Sequence, residues 1–358
     1  MGIYLVPFTI FALLSIIEAG KYRKLINNKI FYLFIFCIFI VFFGLRDEIG
    51  CDWLQYEVNF EYIKNSKLIQ IILNPKYFYN IGYSIISKLL SYQFNFNVAI
   101  FIFSLLFSGP LFFFCSKLKN PYLTLMLSYP YYILVIGMGP LRQSISISFL
   151  MLSIIFIYLY KYKQFYISTI LSSIFHFSAI IINGIFLILF NVFNKQKINK
   201  VTKMFFYLIL ITLLFFNIDL ILNKLIIYIN EYEGIVNPAK GALFVWILNL
   251  FPSLIYIRNT DKFKFNIILK KMVHSFLIFD IFLLPVILFN SVIGYRLILY
   301  SLPKSIFISS FLPKLKLFKI NEINIIIFLI LFSFTSLIIW LKFAYHSYCW
   351  IPYKNILF

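Results

Sequence analysis

The chain has 358 residues, of which 62 % are hydrophobic types and 12 % charged, and it carries a net charge of +20. A soluble domain has roughly 45–50 % apolar and about 25 % charged residues, so these proportions exclude a water-soluble globular fold. The basic excess does not call for nucleic acid as a partner, because cytoplasmic loops of membrane proteins collect Lys and Arg.

Apolar stretches near twenty residues recur from end to end, and each is a candidate bilayer span. In hydrocarbon every backbone N–H and C=O must pair within the chain, so helices are the default. A β-barrel needs alternating apolar and polar positions, and runs such as 325–339 do not alternate. The expectation is an all-α polytopic protein, a single integral membrane domain over 1–358. The first apolar segment, 3–17, has no basic residue before it and no A-x-A site after it, and reads as a retained span rather than a signal. Spans are predicted at 3–17, 30–45, 96–115, 121–138, 144–160, 165–181, 183–193, 204–222, 243–257, 272–290, 297–312 and 324–342, about twelve in all.

Charge tests this layout. With the N-terminus outside, the inner loops 18–29, 116–120, 161–164, 194–203, 258–271 and 313–323 hold 20 of the 32 Lys and Arg but only Glu18, Asp261 and Glu322 among the 12 acids. That is the asymmetry the positive-inside rule asks for. An alternative lets 77–90 cross and treats 165–193 as one long helix; it moves Arg142 inside and Lys117, Lys119, Lys161 and Lys163 outside. The first arrangement is preferred.

The longest polar interval, 46–76, is an outer loop. It opens on Arg46-Asp47-Glu48-Ile49-Gly50-Cys51-Asp52, with three acids in six residues. One is a candidate general base, or a pair a candidate cation site; the plainer reading is a solvated loop with internal ion pairs. Over 52–63, Trp53, Tyr56, Phe60 and Ile63 fall at helical spacing and Asp52, Gln55 and Asn59 on another side. This predicts an amphipathic helix in the interface.

Arg46, Arg142 and Arg296 fall at outer helix ends. Each either snorkels to headgroups or contributes to a clamp, since the planar guanidinium grips phosphate oxygens in pairs. His176 lies within an apolar run near Ser178, a packing residue or a base. His274 reads as an inner-boundary residue, and His346 is ambiguous. Glu231 and Glu233 read as a solvated outer loop. Asp280 sits midway along a span, where an acid is paired or functional. Cys37 and Cys115 are apolar filler. Cys51 and Cys349 are placed outside the cytoplasm, with free thiols the plainer expectation and a disulfide the alternative. No Walker loop, HExxH or GxSxG is present.

Several local patterns resemble the EpsG/Wzy family of polysaccharide polymerases. They are Gly44-Leu45-Arg46 ending a span, Gly50-x-Asp52 followed by Tyr56 and Phe60, and Gly82-Tyr83. Further along come Pro140-Leu141-Arg142-Gln143, Phe175-His176-Phe177-Ser178, Tyr295-Arg296-Leu297 with Tyr300, and Trp350-Ile351-Pro352-Tyr353-Lys354-Asn355. Cys51 and Trp53 depart from the small or hydroxyl residues usual beside the aspartate. The resemblance implies a fold similar to the polytopic lipid-sugar glycosyltransferases. It implies an enzyme of the bacterial inner membrane, with its active site on the periplasmic side, that joins oligosaccharide repeat units carried on undecaprenyl pyrophosphate. Asp52 and His176 are then the catalytic candidates. Arg46, Arg142 and Arg296 would bind pyrophosphate, and Tyr56, Gln143, Tyr300, Trp350 and Tyr353 would contact sugar or lipid. The partners implied are lipid-linked donor and acceptor, membrane lipids and a chain-length regulator protein. No cofactor is expected, and a divalent metal stays open. An O-antigen ligase-like transferase and a lipid-linked sugar flippase are the alternatives. Short outer intervals after residue 200 disfavour the ligase, and the lack of a visible repeat disfavours the flippase.

Overall fold

The computed structural model describes residues 1–20, 22–26, 28–73, 80–184, 211, 226, 241–315 and 320–357. Regular structure among them is helical, with one isolated antiparallel bridge between Arg46 and Asn355. The main helices are α1 (Leu5–Ala19), α2 (Lys29–Gly44), α3 (Trp53–Asn65), α4 (Ile81–Ser91), α5 (Phe96–Ser116), α6 (Pro121–Ser128), α7 (Leu141–Tyr158), α8 (Tyr162–Phe175), α9 (Gly241–Arg258), α10 (Ile267–Phe289), α11 (Ser291–Ile298), α12 (Leu302–Phe311) and α13 (Glu322–Phe343).

Among the described residues, 6 helices are long and apolar enough to cross a bilayer: Gly2–Ala19, α5, α7, α9, α10 and α13, with α2 shorter. They carry large apolar side chains outward, such as Leu13, Leu33, Phe282, Leu288 and Leu331. Such a surface needs lipid rather than water against it. The chain is thus a multi-pass membrane protein, and these helices coincide with predicted spans. The described residues do not reach a count of twelve. Predicted span 204–222 (residue 211 apart), 183–193 beyond 184, the inner loop 194–203, and Glu231 and Glu233 lie outside the described residues.

Three predicted spans take other forms. Segment 121–138 is α6 running into a π-helix, Tyr129–Gly137, whose residues are all buried. Pro130 has no N–H to donate within that turn, and a widened turn accommodates the gap. Segment 165–181 is broken. His176 is extended (φ −154°, ψ 129°), and helix resumes over 178–184. The Ser178 N–H goes to the His176 ring at 3.3 Å, a donor that a continuing helix would pair with the carbonyl four residues back. The single helix 165–193 of the alternative arrangement therefore does not form across His176. Segment 297–312 begins earlier, as α11, a 3₁₀ turn at Leu299–Ser301 and α12.

The described chain falls into two compact units interleaved in sequence. Unit 1 is Met1–Lys67, Ile86–Ile145 and Ser309–Phe358; unit 2 is Leu68–Ile85 and Ser146–Ile308.

In unit 1, α1 packs on α6 and α13, and α2 on α5. Helix α3 forms where predicted, and Trp53, Tyr56, Phe60 and Ile63 are all buried. The stripe is not laid in lipid, however: Trp53 and Phe60 pack on Phe96 at the start of α5. That contact puts residue 96 on the same side as loop 46–65. Lys88 donates to the Lys64 carbonyl at 2.8 Å and so lies there too. Helix α4 has 11 residues, about 16 Å of rise, against a hydrocarbon core of roughly 30 Å. Its described part is thus shorter than a span; 77–79 lie outside the described residues.

One end of unit 1 is closed by a seam between loop 45–53 and segment 345–356. Cys51 and Cys349 are disulfide-bonded, which corrects the free-thiol expectation. The sequence separation of 298 residues hid the pairing, because only the folded chain brings these ends together. The Gly50 N–H donates to the Cys349 carbonyl at 3.0 Å, Asp47 N–H to Lys354 at 3.1 Å and Ile356 N–H to Leu45 at 2.9 Å. Gly50 has φ +99°, and a Cβ there would stand 2.2 Å from the Met138 carbonyl oxygen, so only glycine fits. Disulfides persist in oxidising compartments, which agrees with an outer location for both strands of the seam.

Purified protein denatured without reductant is expected to take up a maleimide label at two thiols, Cys37 and Cys115, and at four after reduction. Four labels without reduction would contradict the pairing.

Candidate functional site

In unit 1 the structure brings Asp52, Tyr56 and Arg142 together. Asp52 is the N-cap residue of α3, where the positive helix end favours a carboxylate. Its side chain makes no capping bond there. Tyr56 follows one turn later and is buried. Arg142, half-buried at the start of α7, lays its guanidinium 5.2 Å from the Tyr56 ring centroid, a cation–π distance. Its backbone N–H donates to the Tyr56 hydroxyl at 3.4 Å. Burial raises the Tyr56 pKa, with Arg142 pulling it down and Asp52 pushing it up. Arg142 thus lies against the phenol one turn along α3 from Asp52. Gln143, next in the chain, is buried.

Arg46, expected at a helix end to snorkel or to contribute to a clamp, is buried. It is 1 % exposed. One of its terminal nitrogens donates to the Phe43 carbonyl at 2.7 Å and to the Ser104 hydroxyl at 2.9 Å, and its plane lies over Phe43 at 4.7 Å. Among the described residues no carboxylate pairs with it, and its Nε has no hydrogen-bond partner. Burial lowers its pKa to about 10, which leaves it charged at neutral pH. Arg46 therefore satisfies the end of α2 beneath the seam.

Trp350 and Tyr353 also belong to the seam. Trp350 is buried and donates its indole N–H to the Leu134 carbonyl at 3.1 Å. Tyr353 stacks on Phe42 at 4.8 Å and gives its hydroxyl to the Phe42 carbonyl. Of the three acids in the loop, Glu48 pairs with Lys354. Among the described residues, no three His, Cys, Asp or Glu side chains gather at metal-holding distance.

In unit 2, His176 and Tyr300 meet, with the Tyr300 hydroxyl 3.1 Å from His176 Nδ1. The same Nδ1 accepts the Ser178 N–H. A nitrogen that accepts a backbone N–H carries no proton, so a neutral His176 holds its proton on Nε2. That nitrogen is then a donor, suited to an anionic oxygen rather than to taking a proton from a sugar hydroxyl. Tyr300, buried, helps orient the ring through that contact. Arg296 lies in α11 of the same unit.

Asp280 is fully buried and paired, as a mid-span acid should be. It meets Lys304 and the Ser301 hydroxyl. Lys304 also reaches the Asn249 carbonyl at 3.4 Å. Sequence reasoning overlooked Lys304; a lysine inside predicted span 297–312 was the available signal, since such a cation needs an acid nearby. Asp280→Ala should destabilise the protein by about 3–5 kcal/mol, because it strands a buried lysine, while Asp280→Leu with Lys304→Met should cost much less. Thermal unfolding in detergent reads the difference, and equal losses would contradict a buried pair.

A family model described as the EpsG family matches residues 29–355. No curated protein and no solved structure matches the chain.

Proposed function

This chain belongs to the EpsG family, which is linked to exopolysaccharide synthesis, and on that premise we propose that it polymerises repeat units carried on undecaprenyl pyrophosphate. The observation that supports this reading is that Arg142 lies over Tyr56, one turn along α3 from Asp52. Glycosyl transfer from a lipid pyrophosphate needs two things close together. The acceptor hydroxyl must lose a proton, which a carboxylate can take. The departing pyrophosphate must be neutralised as the glycosidic bond breaks, which a guanidinium does well.

In the proposed reaction Asp52 takes the proton of the acceptor sugar hydroxyl. The oxygen attacks the anomeric carbon of the donor chain, and undecaprenyl pyrophosphate leaves with the bonding pair. Arg142 receives the charge that develops on the leaving group. His176, donating from Nε2, and Arg296 are the pyrophosphate candidates of unit 2. Arg46 supports the loop that carries Asp52.

The experiment is a substitution series in a strain whose surface polymer forms a ladder. Arg142→Ala should shorten or abolish the ladder at unchanged protein level, and Arg142→Lys should rescue poorly, because a point charge lacks the fork geometry. A wild-type ladder from Arg142→Ala would overturn the assignment. A deletion that leaves a single repeat unit on its acceptor fits a polymerase. A bare acceptor would favour a ligase, and loss of all surface polymer a flippase.

A further inference from the structure

At the end of unit 1 opposite the seam lies a cavity of about 540 Å³ that the transferase reading does not use. Arg23, Lys29, Lys117 and Lys119 line it, and no lining residue is acidic. Its wall is aromatic as well as basic. Tyr32 and Phe113 contribute rings, and Lys117 lies 4.9 Å over the Phe113 ring. Arg23 donates to the Lys119 carbonyl at 3.3 Å.

Two features of this arrangement ask for an anion. Four cations around one concavity repel each other, and the buried Glu18, which accepts the Tyr122 N–H at 3.2 Å and attracts Arg23, offsets only part of that charge. Lys29 is also the first residue of α2, where the helix dipole disfavours a positive side chain. A phosphate in the cavity would relieve both. The position narrows the class further. Helix α2 runs about 24 Å from this cavity to the disulfide-closed seam, so the cavity sits at the other membrane face, the one richest in Lys and Arg. Phe113 in its lining is 37 % exposed, and Ile30, next to Lys29 in the chain, is 75 % exposed. Basic pockets between helices at the cytoplasmic face suit lipid phosphate headgroups, whose chains stay in hydrocarbon.

We propose that this cavity binds the phosphate headgroup of an anionic phospholipid from the inner leaflet. This assignment is independent of the transferase chemistry. Native mass spectrometry of the full chain, with phosphatidylglycerol or phosphatidylcholine added in mixed micelles, tests it. Phosphatidylglycerol should be retained in preference to phosphatidylcholine. Lys29→Gln with Lys117→Gln should weaken that retention by roughly fivefold per charge removed. A control variant, Lys262→Gln with Lys264→Gln, loses the same charge from a loop outside the cavity and should bind like the parent. Both variants should keep the parent's melting midpoint within a few degrees, and a cavity variant that melts far lower is replaced by Lys117→Gln alone. Equal retention of the two lipids, or equal loss in the control, would overturn the proposal. Displacement of the lipid by millimolar inorganic phosphate alone would assign the cavity to a soluble anion and would overturn the lipid assignment.

Discussion

Loop 45–53 and segment 345–356 are held together by backbone pairing, a disulfide and a buried tryptophan, and one end of unit 1 depends on that closure. A loop of this length between an apolar and an amphipathic helix has many conformations, and ordering it costs roughly 1–2 kcal/mol per residue. The seam offsets that cost with contacts a free loop lacks. Gly50 seats its backbone against Met138, the Cys51–Cys349 bond ties the turn, and Trp350 fills the space against Gly139 and Trp340. Asp52 is thereby fixed at the head of α3, and α3 is fixed by Trp53 and Phe60 on Phe96.

Charge is handled in three ways. Asp280 and Lys304 neutralise each other inside unit 2. Arg46 is buried with neutral acceptors, a costly arrangement that the seam shields from water. Arg142 stays half-buried at a helix end, with an aromatic face beneath it. Of these three, only Arg142 combines accessibility with fixed geometry, which is what recognition of a phosphate requires.

The sequence made the membrane class legible because apolar runs and charge bias are local signals. Helices α1, α2, α5, α7, α9, α10 and α13 lie close to their predicted spans. The start of α3 was legible from the spacing of Trp53, Tyr56, Phe60 and Ile63. What lay beyond reach was long-range. The stripe of α3 was expected to face lipid, since nothing local shows that Phe96 covers it. The break at His176 depends on a ring nitrogen competing for a backbone donor, which hydropathy does not register. Trp350 and Tyr353 look like surface aromatics until Leu134 and Phe42 are beside them. The two-unit arrangement leaves no boundary in the sequence, because each unit draws on separate stretches of chain. Much of the family resemblance, from Gly44 and Arg46 to Gly50 and the Trp350–Asn355 stretch, maps onto the seam, so those motifs report folding as much as chemistry.

The most direct test is turnover by purified protein in a bilayer, with lipid-pyrophosphate-linked repeat units as both donor and acceptor. Asp52→Asn keeps the shape of the side chain and removes its basicity, so the account predicts a loss of about 10²–10⁴-fold. Asp47→Asn should stay near the parent rate, because Asp47 meets the seam through its backbone. Near-normal turnover by Asp52→Asn, alongside an inactive His176→Ala, would contradict the account and move the chemistry to unit 2.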